Sequence, residues 1–185
     1  MIIKGSINMQ QSHKTTLTNY NLLKEEARSI AHKALPDYLK RATKLKEIDH
    51  GAILASKLWG HDPDRQVDWD WTFSSRYVYR HPKAFDLAIW VGNKLCTLAL
   101  GRPSYSGTFM RLDFIEKAPT NCPFSSDMVP ISILAYETYA KRIGASQFRI
   151  IDPINDKVLR SYLQHGGFSH CQGLKGNPNY LVREL

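Results

Sequence analysis

FDLAIWVGNKLCTLAL, residues 85–100, and GTFMRLDFIEK, residues 107–117, carry the chain's strongest strand pattern. Two short apolar runs, 85–91 and 94–100, are split by Gly92-Asn93, the turn chemistry that closes a two-residue hairpin. Residues 107–117 make a third strand candidate, with Phe109, Arg111, Asp113 and Ile115 on one face and Met110, Leu112, Phe114 and Glu116 on the other. Together they predict a three-stranded antiparallel meander.

Downstream, the loop TNCPFSSDMVP leads into a helix in which Ile131, Leu134, Ala135, Thr138, Tyr139 and Ile143 recur at helical spacing, with Gly144 at the C-cap. SQFRIID then reads as a strand. Asn155 is placed to cap a helix running through Tyr162 and Leu163 to Gly166-Gly167. FSHCQ and NYLVREL, either side of a GNPN turn, close the chain as strands.

Upstream, residues 19–60 are helical in pattern. Leu22, Leu23, Ala27, Ile30, Ala31 and Ala34 form one stripe that Pro36 ends; a second helix is predicted from Pro36 to Leu45, and a third after Asp49 to Gly60. HDPDRQ, residues 61–66, reads as a loop. VDWDWTF alternates Val67, Trp69, Trp71 and Phe73 with polar residues and predicts a half-buried strand within 67–79. Residues 1–18 are polar and aperiodic and read as a loose arm.

The 185 residues are 43% hydrophobic and suffice for one domain, 1–185, that needs no disulfide or metal staple. Cys96, Cys122 and Cys171 are odd in number and form no Cys-x-x-Cys pair, which fits a reducing cytoplasm. No run nears the roughly 20 apolar residues that span a bilayer, so no membrane partner is expected. Twenty-five Lys and Arg against 17 Asp and Glu give a net charge of +8, which favours anionic partners: nucleic acid, an acidic protein face or a phosphorylated cofactor. His165, His170 and Cys171 match no standard zinc spacing, and no metal is expected. Neither a Walker loop, a dinucleotide fingerprint nor Gly-x-Ser-x-Gly is present.

From about Phe85 to Leu185, the chain resembles the GCN5-related N-acetyltransferase (GNAT) superfamily. The resemblance rests on the helix ending Ala140-Lys-Arg-Ile-Gly144, the strand FRIID, and Asn155, Tyr162 and Gly167-Phe168. It implies an α/β (α+β) GNAT-like acyl-CoA N-acyltransferase fold, a mixed central sheet with an antiparallel meander flanked by helices. Residues 85–185 would be the cofactor-binding core, with a slot between FRIID and the third meander strand for acetyl-CoA. The chain departs from the pattern in the diphosphate loop, where Pro123 to Pro130 contains no glycine. A second departure is one of length: counted from Asn155 the superfamily's tyrosine falls on Tyr162, but counted back from Gly167-Phe168 it falls on Leu163.

The resemblance makes Tyr162 the acid for the departing thiolate and Glu116 the base, direct or through water. It places a backbone N–H from the splayed strand around Phe114, Ile115 and Glu116 at the thioester carbonyl. It also puts Ser125, Ser126 and Val129 at the diphosphate, where helix N-terminal N–H groups favour an anion, and Asn155 at the neighbouring helix start. Simpler readings stand beside these: a packed helix tyrosine, a solvated carboxylate next to Lys117, a partly buried thiol at Cys122, and tryptophans 59, 69, 71 and 90 as core rings. The implied function is direct acetyl transfer from acetyl-CoA to an amine in a ternary complex. The alternative is a non-catalytic module using its basic surface, RYVYRHPK included, for nucleic acid or an acidic protein. Acceptor and oligomeric state are left open.

Overall fold

Gly92 adopts a φ of 58°, and the chain reverses there to pair Phe85–Val91 with Lys94–Gly101. The structure, a computed structural model, describes residues 3–174 and 176–185, with side chains from Thr15 onward. In chain order its elements are α1 (Ile3–Lys33), α2 (Asp37–Ala42), β1 (Thr43–Lys46), α3 (His50–Lys57), α4 (Phe73–Arg80), β2 (Phe85–Val91), β3 (Lys94–Gly101), β4 (Phe109–Leu112), β5 (Phe114–Lys117), α5 (Met128–Arg142), β6 (Gln147–Ile151), α6 (Asp156–Gln164), β7 (Ser169–Cys171) and β8 (Tyr180–Glu184).

Three upstream expectations are corrected. Residues 3–18, read as a loose arm, belong to α1, while residues 1–2 lie outside the described residues. The helix expected from Pro36 to Leu45 stops at Ala42, and Thr43–Lys46 becomes a strand against β2. The strand expected within 67–79 is a turn followed by α4: Asp70 Oδ1 accepts from Thr72 N at 3.1 Å and Asp70 O from Phe73 N at 3.3 Å, which starts a helical path that no neighbouring strand competes for.

Strand order is β1-β2-β3-β5 in one half and β4-β6-β8-β7 in the other, and the segment 109–117 joins the halves. One face is covered by α1 and α5, where Ala27, Ala31, Ile131, Tyr136 and Tyr139 pack on Phe85, Leu87 and Ile89. The other carries Ile53, Trp59 and Trp71 over Ala88, Leu95, Leu98 and Leu100. Trp59 and Trp71 therefore do pack as core, although not from a strand, and Trp69 and Trp90 are half-buried against the same cluster, Trp90 from β2.

The joint at Asp113 matters most for the site. Arg111 N donates to Arg102 O at 2.9 Å, yet Phe114 pairs with Leu100. Asp113 N also donates to Leu100 O, at 3.1 Å, so Asp113 and Phe114 both oppose Leu100, which is a β-bulge. The strands cross so closely there that a Cβ on Gly101 would lie 1.9 Å from Arg111 O, so only glycine fits.

Candidate active site

Before the bulge, β4 runs parallel to β6, with Phe109 opposite Gln147 and Leu112 opposite Ile150. After it, β5 pairs with β3 alone among the described strands, and β6 continues beside β8. The two neighbours therefore part at Asp113, leaving a V between residues 114–117 and the chain from Ile151 to Asn155.

Which backbone groups face that V follows from ladder alternation. Ala118 N donates to Cys96 O at 2.8 Å, so the bonded pairs are 118 with 96, 116 with 98 and 114 with 100. The N–H groups of Ile115 and Lys117 consequently point away from β3, toward the V. Of the stretch expected to polarise a carbonyl, Ile115 is so placed, whereas Phe114 spends its N–H on β3. Lys117 was not foreseen, because a bulge and its register leave no mark in a short apolar run. The Phe114 side chain lies in an aromatic cluster with Trp69, Phe73 and Tyr77 at centroid distances of 5.3, 5.0 and 6.1 Å.

Glu116 does not stand free as a base. It is 4% exposed, and Arg65 Nε donates to its Oε1 at 2.5 Å while Arg65 Nη2 and Trp71 Nε1 donate to Oε2 at 3.2 and 2.6 Å. Simple alternation puts Asp113 and Glu116 on opposite faces, but the extra residue of the bulge reverses that parity. Asp113 accepts from Tyr77 on α4, at 2.8 Å, and from Arg111 Nε at 2.9 Å and Nη2 at 2.6 Å. Both carboxylates of the strand are thus engaged.

Tyr162 lies inward on α6, 4% exposed and part of the core cluster that also holds Phe148 and Phe168, while Leu163 is 37% exposed. Of the two candidate registers, the one counted from Asn155 is the one that turns a ring into the protein. Burial alone drives the Tyr162 phenol well above the ordinary tyrosine range, so it stays protonated. Asn155 caps α6 as expected, its Oδ1 accepting from Val158 N at 2.9 Å.

The loop from Ala118 to Asp127 holds two non-glycine residues in the left-handed region, Asn121 (φ 53°) and Phe124 (φ 56°). The tight path is made without glycine, and Tyr38 of α2 packs on Phe124 with ring centroids 5.8 Å apart. No side chain caps α5: Ser126 Oγ turns to Asp127 Oδ2 at 3.5 Å, and Lys117 Nζ donates to Ser125 O at 3.4 Å. The N–H groups of Met128 and Val129 open the helix and have no carbonyl partner within it. Cys122 Sγ donates to Pro123 O at 3.4 Å, and the neighbouring Cys96 thiol together with burial pushes its pKa above the usual thiol range, which disfavours the nucleophilic thiolate. Among the described residues no cluster of three His, Cys, Asp or Glu is placed to hold a metal, and no helix is long and apolar enough to cross a membrane.

No protein-family model and no curated protein sequence matches the chain. Solved structures do. A paiA N-acetyltransferase from Thermoplasma acidophilum in complex with coenzyme A is 12% identical, with a TM-score of 0.54 over 78% of this chain and 99% of that one. The ribosomal-protein-S18-alanine N-acetyltransferase from Escherichia coli is 12% identical with a TM-score of 0.54 over 77% and 93%. An acetyl transferase that modifies the N-terminal serine of ribosomal protein L7/L12, from Salmonella typhimurium, is 10% identical with a TM-score of 0.57 over 80% and 97%. The chain has the fold of the GNAT acyl-CoA N-acyltransferases, a mixed α/β architecture with its strands parting in the middle of the sheet.

Proposed function

We propose that this protein is an acyl-CoA-dependent N-acyltransferase that passes an acetyl group from acetyl-CoA to an amine in a ternary complex. The observation that carries the reading is the parting of β5 from β6 at the Asp113 bulge, with the N–H groups of Ile115 and Lys117 turned into the gap. Donors fixed in that way stabilise negative charge developing on a thioester oxygen. The coenzyme A bound to one structural neighbour and the amine-modifying names of the others support the same chemistry.

In this reading the pantetheine arm lies along β5 and the diphosphate sits at the N–H groups of Met128 and Val129, with Lys117 and the loop 118–127 beside it. The amine attacks the thioester carbonyl as its free base, the C–S bond breaks, and Tyr162 gives its phenolic proton to the departing thiolate. Because Glu116 is taken up by Arg65 and Trp71, the ammonium proton leaves to water and Glu116 serves to anchor the strand. Titration of the full chain with acetyl-CoA in a calorimeter, followed by thiol release in the presence of an amine panel, tests this. Binding with amine-dependent release of coenzyme A is the expected result. Absence of heat and of any melting shift at millimolar acetyl-CoA would overturn it, since a ligand of the native state must raise the melting temperature.

The engagement of both strand carboxylates favours one second reading, a GNAT fold kept as a binding module for nucleic acid or an acidic protein. Arg76, Arg80 and Lys83 are exposed and would supply its contacts. Salt-dependent RNA binding with no acyl-CoA binding would be its signature.

A further inference from the structure

A polar cavity of about 250 Å³ opens between α1 and α4, at the edge of β2, away from the parted strands. It exists because β1 stops pairing at Ala88, so the β2 edge from Phe85 to Leu87 has no strand beside it and α1 lies there instead. Arg28, 6% exposed, covers that edge: its Nε and Nη2 donate to Asp86 O at 3.2 and 2.9 Å, and Nη2 also to Asp86 Oδ1 at 2.9 Å. Ile48 N donates to Asp86 Oδ2 at 2.7 Å. Asp86 is therefore satisfied within the fold.

Two other groups lining the cavity are not. Ser74, 1% exposed, has an Oγ that meets no hydrogen-bond partner among the described residues. Lys24, 2% exposed, donates to Asn21 Oδ1 at a long 3.3 Å, and an ammonium has three protons to give. Burial lowers the Lys24 pKa, and Asp86 and Glu47 work to raise it against Arg28, as a further anion in the cavity would. Buried donors without acceptors are costly, and native structures rarely leave them so without a ligand or ordered water.

The exposed carboxylates Glu25 and Glu47 also line the cavity, with Leu17 and Val78 as apolar wall. Three carboxylates against two cations disfavour a phosphate dianion. An anionic end fits inward and a cationic end fits at the solvent side. The volume equals that of about eight waters, enough for a free amino acid. We propose that this cavity binds a small zwitterion of the α-amino acid class, its carboxylate on Lys24 Nζ and Ser74 Oγ and its ammonium beside Glu25 and Glu47. Ser74 and Tyr77 lie one turn apart on α4, and Tyr77 donates to Asp113 of the bulge, so α4 links the cavity wall to the strand joint. The inference is independent of the acyl-transfer reading.

Calorimetric titration of the full chain with each of the 20 protein L-amino acids tests it, with butyrate, butylamine and inorganic phosphate as single-charge and dianion probes. One or more amino acids bind one to one, at least tenfold more tightly than any of the three probes. Lys24→Met weakens that binding at least tenfold. Glu47→Gln, an exposed change that leaves the melting temperature alone, weakens it severalfold. No binding by any amino acid overturns the proposal, as does phosphate or butyrate binding equally well, or unchanged affinity in Glu47→Gln.

Discussion

Arg65 and Glu116 grip each other in a two-point contact, Nε to Oε1 at 2.5 Å and Nη2 to Oε2 at 3.2 Å, with Trp71 Nε1 adding a third donor at 2.6 Å. The pair fastens the loop between α3 and α4 onto β5. Removing one partner of a buried pair leaves the other charge stranded, which costs about 3–5 kcal/mol. Glu116→Ala should therefore lower the melting temperature sharply in thermal denaturation. Glu116→Gln should cost less and, once folded, turn over within a few-fold of wild type. A Gln variant of unchanged stability but more than hundredfold slower would restore Glu116 as the base.

Gly101→Ala should be among the most damaging single-atom additions in the protein. Its Cβ would lie 1.9 Å from a backbone oxygen, which cannot swing aside as a side chain can. Relief requires moving β4 off β3, at a cost of about 2–3 kcal/mol or more. The same movement closes or skews the parting from β6, so acetyl-CoA affinity should fall with stability. Chemical denaturation and cofactor titration on the one variant would show both, and a well-folded variant with native affinity would remove the bulge from the argument.

The pH profile of kcat/KM should have a single rising limb. The free-base amine becomes more abundant as pH increases, and the strand offers no unengaged carboxylate to add an acidic limb of its own. Tyr162 acts protonated, and burial raises its pKa above the ordinary value of about 10, so activity dependent on it is present throughout the neutral range and lost only above that value. A falling limb between pH 7 and 9 would show that another group is the acid.

Asp127→Asn should tighten acetyl-CoA binding by about two- to fivefold. Asp127 is the N-cap of α5 but makes no capping hydrogen bond; its carboxylate meets Tyr38 OH at 3.4 Å instead. It contributes a negative charge where a diphosphate would sit, and helix-terminal charge effects are of this size. Affinity measured at low and high salt would separate this from a change of shape, since only the charge effect shrinks with salt.

The hairpin, α5, β6 and α6 were legible because their signals are local: Gly92-Asn93, Gly144, a capping Asn155 and a clear period between them. VDWDWTF misled because alternation reports which residues are buried and not what buries them. Trp69, Trp71 and Phe73 do gather on one side, with neighbouring centroids 5.9 Å apart, but no partner strand was available and Asp70 turned the chain into a helix. The bulge was invisible for the same reason, since it depends on which residue of β3 lies opposite. Lys24 and Arg28 did leave a trace: with Ala27 and Ala31 they fall on the buried side of a helix, and Asp86 interrupts an otherwise apolar run. Charged residues on an apolar face, paired with a charge in an apolar strand, were the signal to follow.

Tyr162→Phe is the sharpest test of the chemistry, because it removes one oxygen and keeps the ring. Packing of the ring in the core survives, so stability and acetyl-CoA affinity should change little. Without the proton for the thiolate, kcat should fall about tenfold or more, within the range that a positioned acid contributes. The loss should shrink with an acyl donor whose thiol is more acidic, since a better leaving group needs the proton less. A structural role for the hydroxyl would lower rates equally for all donors and alter melting, so the dependence on leaving group separates the two. An unchanged rate with acetyl-CoA would dismiss Tyr162 from the reaction.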